Sequence, residues 1–429
     1  MTRWTDLETK EALNALSVPA PTDRASLSRR WFLKATAATA GATALLPPWL
    51  ADVAAAATPI GANDGVLVVV LMAGGNDGLN TIVPTEDGKY RDARPGLAIA
   101  ESAALSVGRG VGLHPNLKKL HARYTAGQVA LVRGVGDLQP DMSHFTAMAR
   151  WMAGHQQPAG ATTGWLGRWL DGYGRADDLS ALVIGQSIPL ALVGARRKAT
   201  ALPTEGTADI LADRSEHWIR LSLDCLREMG AGATGNGPWA DALGAATRSA
   251  VDLAETVEPA YVAPLPDGKL VKELELAARL VNANLGIRVI QVQYGDFDHH
   301  ASQAGAHGQR MAELDAAVDR FFATLSPAFA KRTTIMTMSE FGRRPTVNAS
   351  GGTDHGEASD LLVIGPGVKG GQYGEPVHLG HLSDHGCPIA HVDFRSVYAT
   401  VLESWLGADS RQILGASFEN LRFLRQPSR

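Results

Sequence analysis

Two acids and three histidines crowd one short stretch of the chain: Asp296, Asp298, His299, His300 and His307 all follow the apolar run 287–293. Asp298 and His300 stand two apart in a loop, so both can turn inward. Carboxylate with imidazole suits zinc, manganese or iron more than calcium. A solvated polar loop is the alternative for this stretch. A second collection lies at 339–356, SEFGRRPTVNASGGTDHG, which holds Glu340, Arg343, Arg344, Asp354 and His355 between two apolar runs, 333–338 and 361–364. A loop at the end of a buried strand is where an α/β protein keeps its chemistry. The loop is therefore expected to close a metal-dependent active site whose other parts lie far away in sequence. Two further positions fit that site. Asp77 follows the run VLVVVLM in Ala-Gly-Gly-Asn-Asp-Gly, either presented at the sheet edge or capping the next helix. Ser143, in Asp-Met-Ser-His-Phe, is placed either as a helix N-cap or as a nucleophile whose anion the helix amides favour. His381, Asp384, His385 and His391 form one more polar cluster, read as a surface loop rather than as part of the site.

These residues need rigid elements behind them. Continuous β-branched runs such as 66–72 read as strands buried on both faces, typical of a parallel sheet. Further strands are expected at 129–133, 181–185, 287–293, 333–338 and 361–369. Helical spacing occupies 115–127, 164–173, 218–229, 239–257, 269–285, 309–325 and 393–407, and a segment ending at Gly154 follows Ser143. The fold class expected is α/β, a three-layer sandwich around a mostly parallel sheet, with a helical insertion over roughly 155–285.

The chain has 429 residues, 45% hydrophobic and 20% charged, which fits one large or two ordinary domains and argues against wholesale disorder. A net charge of -4 carries no basic excess, so nucleic acid is not expected as a partner. Two cysteines, Cys225 and Cys387, exclude a disulfide scaffold and a cysteine-rich zinc site. Near the amino end, Ser-Arg-Arg-Trp-Phe-Leu-Lys at 28–34 precedes a weakly apolar Ala/Thr run and small residues at 54–57. This resembles a twin-arginine export signal cleaved near Ala57. The expectation is residues 1–57 as signal and linker, 58–429 as one domain, export to the periplasm or beyond through the Tat translocase, and no permanent membrane span, since no apolar run reaches the required length.

The motifs GGNDGLNTIVP, MSHF, GDFDHH, SEFGR, GGTDHG and DFRSVY, with the signal, resemble a bacterial exported family known as domain of unknown function 1501. More distantly, the layout is similar to the alkaline phosphatase and sulfatase superfamily. That resemblance implies an alkaline-phosphatase-like fold with Asp77 as a ligand after the first strand and Ser143 as nucleophile. It also implies Asp298 and His300 as ligands after a central strand, Glu340 in the next strand's loop, and His355 as the final metal-binding histidine. Phe341 stands where the superfamily has a ligand, so one of two metal sites is expected to be weakened, completed by Asp354, or lost. Ser143 lacks a Cys-x-Pro-x-Arg context, which argues against formylglycine chemistry.

The implied function is an exported hydrolase of phosphate or sulfate esters, small-molecule or glycan, using divalent ions: zinc first, manganese or calcium as alternatives. Asp298, His300 and His355, with His307, would hold one ion. Asp77 and Glu340, with Ser143 or water, would hold the other. Ser143 or metal-bound water would attack, Arg343 or Arg344 would hold the non-bridging oxygens, and His144 would assist as a donor. The competing reading is a degenerate metal- or glycan-binding assembly protein. An oxidoreductase is disfavoured because the glycines at 74, 75 and 78 do not spell G-x-G-x-x-G.

Overall fold

All seven residues of VLVVVLM are buried, and successive side chains enter two different cores. Val66, Val68, Val70 and Met72 face one, while Leu67, Val69 and Leu71 face the other. A strand with no polar face can only lie in the middle of a three-layer structure. The computed structural model describes residues 59–427 apart from 62, 156–159, 175–178, 205–216, 233–234, 236 and 262, so the signal region lies outside the described residues.

In chain order the strands are β1 (Val66–Met72), β2 (Ile82–Val83), β3 (Leu105–Gly108), β4 (Val111–Leu113), β5 (Val129–Gly136), β6 (Ala181–Ile184), β7 (Thr200–Leu202), β8 (Val289–Tyr294), β9 (Thr333–Met338), β10 (Arg343–Val347), β11 (Thr353–His355), β12 (Ser359–Ile364), β13 (Gly371–Gly374) and β14 (Val392–Asp393). The longer helices are α1 (Lys118–Thr125), α2 (His144–Ala153), α3 (Trp165–Tyr173), α4 (His217–Gly232), α5 (Pro238–Tyr261), α6 (Lys269–Asn282), α7 (Gln303–Thr324) and α8 (Phe394–Val401).

The central sheet runs β13-β5-β12-β9-β1-β8-β6-β7, with β14 also pairing with β5. All its pairings are parallel except those of β12 with β5 and with β9. One core lies between the sheet and α1, α6 and α7; the other lies between the sheet and α2, α3 and α8. Aromatic stacking closes the second core, with Trp165 over Tyr398 at 4.1 Å and Trp151 over Phe394 at 4.6 Å. Each such ring removes ~150–250 Å² from water, so this layer is held chiefly by apolar burial.

The mostly parallel α/β sandwich expected from the sequence is the one observed. Within 155–285 the structure is richer than a helical insertion. β6 and β7 extend the central sheet, and α6 packs on it, because ALVI at 181–184 is wholly buried. The helix expected from Pro115 begins at Lys118, because the Asn116 amide donates to His114 Nδ1 and holds the chain in a turn. Cys225 is exposed and Cys387 buried, each a free thiol.

The topology decides where the polar loops meet. β9, β1 and β8 are parallel neighbours, so their carboxyl ends share one edge of the sheet. β12 runs antiparallel to β9 and to β5, which brings its amino end and the carboxyl end of β5 to that same edge. Loops 73–80, 137–143, 295–302, 339–342 and 353–358 therefore converge on it.

Candidate metal centre

Asp298 sits at the middle of the converging loops. Its Oδ1 lies 3.0 Å from His300 Nε2 and 3.1 Å from His355 Nε2, and those two nitrogens are 3.0 Å apart. Its Oδ2 is 3.5 Å from Nε2 of His144. The carboxylate is about half exposed and the imidazoles are partly so, leaving the group open to solute.

The outward nitrogens fix the tautomers. His144 Nδ1 donates to Glu340 Oε1 at 2.8 Å, His355 Nδ1 donates to the Met142 carbonyl at 2.8 Å, and His300 Nδ1 donates to Asp354 Oδ1 at 3.2 Å. Each acceptor is an oxygen, so each Nδ1 is suited to donate outward. All three Nε2 atoms then face inward. Two imidazole nitrogens 3.0 Å apart are compatible only with a cation or a single proton between them. Nε2 of His144 is buried with no hydrogen-bond partner. Imidazole oriented by an outer carboxylate or carbonyl is the arrangement metal-ligating histidines adopt. The donor set therefore fits a divalent transition ion.

Burial alone would raise the Asp298 carboxyl. The hydrogen bond and charge of Arg343 overcome it, with His355 and His300 adding to them, and hold the group at about 2. Arg343 itself is buried, and its fork is fully used. Nε donates to the Gly75 carbonyl, Nη1 donates to the Thr353 carbonyl and lies 3.5 Å from His300 Nε2, and Nη2 donates to Asp298 Oδ1 at 2.6 Å and to the carbonyls of Gly74 and Phe297. Gly75, at φ +78°, is the glycine this packing requires, since a Cβ there would lie 2.4 Å from the Phe341 ring. Phe341 carries His144 and His355 on its face, with ring centroids 4.8 and 4.7 Å away. It is a floor under two imidazoles rather than a donor itself.

The remaining expected site residues are distributed otherwise. Glu340 is buried and accepts from the Gly74 amide and from His144, while Ser339 Oγ, donating to the Met72 carbonyl, staples the β9 loop to the end of β1. Asp77 does not share a partner with Glu340. It is buried against Arg94, whose Nη1 and Nη2 reach its two oxygens at 2.5 and 3.0 Å, and it accepts from Gln303. Burial would raise its pKa, but Arg94 above all, then His307 and Gln303, keep it low. Arg94 also donates to the carbonyls of Arg344 and Pro345, so the pair ties β10 to the first loop. A carboxylate so occupied is a structural anion, and the structure does not bring Asp77 and Glu340 to a common centre. His307 is buried in a separate pocket with Asn76 and Thr81, and burial holds it at about 3. Asp354 serves His300 from outside. Arg344 donates to the His355 carbonyl. Ser143 is exposed as the N-cap of α2 without capping it through its side chain, and it sits between Met142 and His144, both of which take part in the site. His144, expected only as a donor, thus stands among the ligand candidates. Nothing in the sequence marked Arg94 as a partner of Asp77.

The family model described as a protein of unknown function (DUF1501) matches residues 130–421, and a twin-arginine translocation signal model matches 26–45, so the chain carries a signal for export to the periplasm or beyond. No curated protein matches the chain. Among solved structures it is similar to a protein of the alkaline phosphatase superfamily from Vibrio parahaemolyticus, with 8% identity, 93% of this chain and 78% of that chain covered, and a TM-score of 0.36. It is also similar to the PsFucS1 sulfatase from Pseudoalteromonas sp., at 11% identity, 89% and 78% covered, TM-score 0.36. A third similar structure is a magnesium-bound variant of TAB5 alkaline phosphatase, at 11% identity, 72% and 93% covered, TM-score 0.33. With its model covering most of the mature chain, the protein belongs to the DUF1501 family.

Proposed function

We propose that the protein is an exported hydrolase of phosphate or sulfate esters built on one divalent metal ion, zinc first, held by Asp298, His144, His300 and His355. The observation that carries this reading is the set of three imidazoles with their Nδ1 atoms hydrogen-bonded outward and their Nε2 atoms turned toward one carboxylate. A bound divalent ion would supply Lewis-acid stabilisation of developing negative charge and lower the pKa of a hydroxyl or water beside it. The protein's own residues do the rest. Glu340, Asp354 and the Met142 carbonyl orient the imidazoles. Arg343 holds Asp298 anionic. Arg343 and Arg344 nearly balance the carboxylates, so a divalent ion tips the local charge positive and favours an anionic substrate. Ser143, at the amino end of α2, is the nucleophile in this reading. Its oxygen would bond to phosphorus or sulfur as the ester oxygen leaves, its hydroxyl proton passing through solvent to that leaving oxygen, and water would later split the serine ester, releasing the acid and returning a proton to Ser143.

The single centre replaces the two-metal arrangement, because Asp77 is neutralised by Arg94. The same observation favours the second reading, a metal- or glycan-binding assembly protein without turnover. The test is metal analysis of the mature protein followed by a broad ester panel. Asp298→Ala and His355→Ala should each lose the ion, and Ser143→Ala should keep the ion and lose turnover. Unchanged metal content in the first two would sink the site. Bound metal with no ester turned over would favour the second reading. Full turnover in Ser143→Ala would point to water as nucleophile.

A further inference from the structure

We propose a second zinc site, formed by Glu375, His378 and His391, that clips the two ends of the segment 375–391 together behind the primary centre. One ligand atom from each of the three lies within 4.8 Å of the others. Glu375 Oε1 is 3.0 Å from His378 Nε2, and the rings of His378 and His391 are 5.4 Å apart at 67°. Donors around a tetrahedral zinc ion stand roughly 3.3 Å apart, so small side-chain rotations complete the set. Two imidazoles with one carboxylate, plus a position left to water, is a zinc donor set and a poor one for calcium or magnesium.

The backbone makes this more than a chance meeting of exposed side chains. β13 ends at Gly374 and β14 begins at Val392, and both pair in parallel with β5, one after the other along its length. Glu375 and His391 therefore emerge side by side. The His391 amide donates to the Gly134 carbonyl at 3.0 Å. A Cβ at Gly134 would lie 2.0 Å from the Glu375 carbonyl oxygen, so that backbone is packed against the same residue. Two of the three ligands are thus fixed on one point of a buried strand, and His378 follows three residues after Glu375.

The clipped segment is the outer wall of the primary centre. Cys387 Sγ lies 3.6 Å from Met142 Sδ and 3.8 Å from the His355 carbonyl. Ser383 Oγ donates to Glu357, and the Ala358 amide donates to the Pro388 carbonyl. An ion at the base would stiffen the wall that backs His355. The inference stands whether or not the protein hydrolyses esters.

The experiment is zinc titration of the full mature chain with zinc alone, read as bound equivalents and affinity. Wild type should bind one equivalent more than His378→Ala or His391→Ala, and Asp298→Ala should retain that equivalent. Glu375→Gln should weaken it by at least the ~10- to 100-fold that loss of an outer-shell partner costs. Proteolysis within 376–390 should accelerate on chelation in wild type and be already fast in His391→Ala. The proposal is overturned if His378→Ala and His391→Ala bind zinc as wild type does, leaving an ion pair only, or if Asp298→Ala binds none.

Discussion

Arg343 is the residue that most limits what the centre can bind. With its fork directed to Asp298, to backbone carbonyls and, through Nη1, to His300 Nε2 at 3.5 Å, it sets one edge of the centre and has no donor left for a substrate oxygen. The sequence placed Asp298, His300 and His355 correctly at strand ends, since density of ligand types next to apolar runs is visible without a structure. It could not show that Asp77 has an arginine partner, because Arg94 lies in an unremarkable loop and the pairing is set only by tertiary packing. Breaking that buried pair is a sharp test of its structural role. Arg94→Met leaves an uncompensated carboxylate and should cost ~3–5 kcal/mol in denaturant unfolding without removing the ion from the centre. Loss of the ion with unchanged stability would return Asp77 to the site. The neighbouring buried histidines make a second prediction. Burial holds His114 at about 4 and His307 at about 3, whereas both titrate near ~6.5 when unfolded. Between those values the unfolded chain binds protons that the native chain refuses. Their contribution is therefore intact above ~6.5 and is lost as pH falls toward 4. At pH 5 the loss should be on the order of 2 kcal/mol per histidine, and His307→Gln should flatten the fall of the denaturant midpoint between pH 7 and 5. An unchanged slope in that variant would refute the assignment.

Among the elements, the buried strands were legible because β1, β5, β9 and β12 carry unbroken apolar runs. The hairpin of β10 and β11 was not. Its sequence is polar, and it is held by Arg94 reaching into it and by its own Arg343 bridging to the Thr353 carbonyl rather than by periodicity. Yet this hairpin delivers His355 to His300, and the spacing between them is set by a glycine. A Cβ at Gly352 would lie 2.3 Å from the His300 carbonyl carbon and 2.4 Å from the His299 carbonyl oxygen, both backbone atoms that cannot rotate away. Gly352→Ala should push β11 off the 299–301 loop, costing ~1–3 kcal/mol of stability, and it should weaken metal affinity ~10- to 100-fold without touching a ligand. Equilibrium dialysis at neutral pH measures it, and wild-type affinity in a folded variant would show that the two loops move independently of the centre.

On the scale of the molecule, the converging loops belong to strands far apart in the chain: 298–300 follows β8, 340 follows β9, 355 precedes β12 and 144 follows β5. An ion held by Asp298, His300, His355 and His144 would tie β8, β12 and β5 together at one edge, with β9 joined to it through Glu340 on His144, and it can do so only in the folded chain. Binding restricted to the native state adds RT ln(1 + [M]/Kd), ~2.7 kcal/mol when the free ion stands at a hundred times its Kd. For a chain of this size that is a rise of a few degrees in the unfolding midpoint. Chelation should therefore lower the wild-type midpoint, and zinc should restore it. Asp298→Ala should begin low, and His378→Ala should keep most of the response because the surface ion spans only neighbouring segments of one sheet edge. A twin-arginine signal directs the chain to a route for folded proteins, so the ion would be loaded before export and the stabilisation would act from that moment. A wild-type midpoint indifferent to both chelator and zinc would mean that the four loops are held by Arg343 and the hydrogen bonds alone, and that the inward-facing imidazoles share a proton instead.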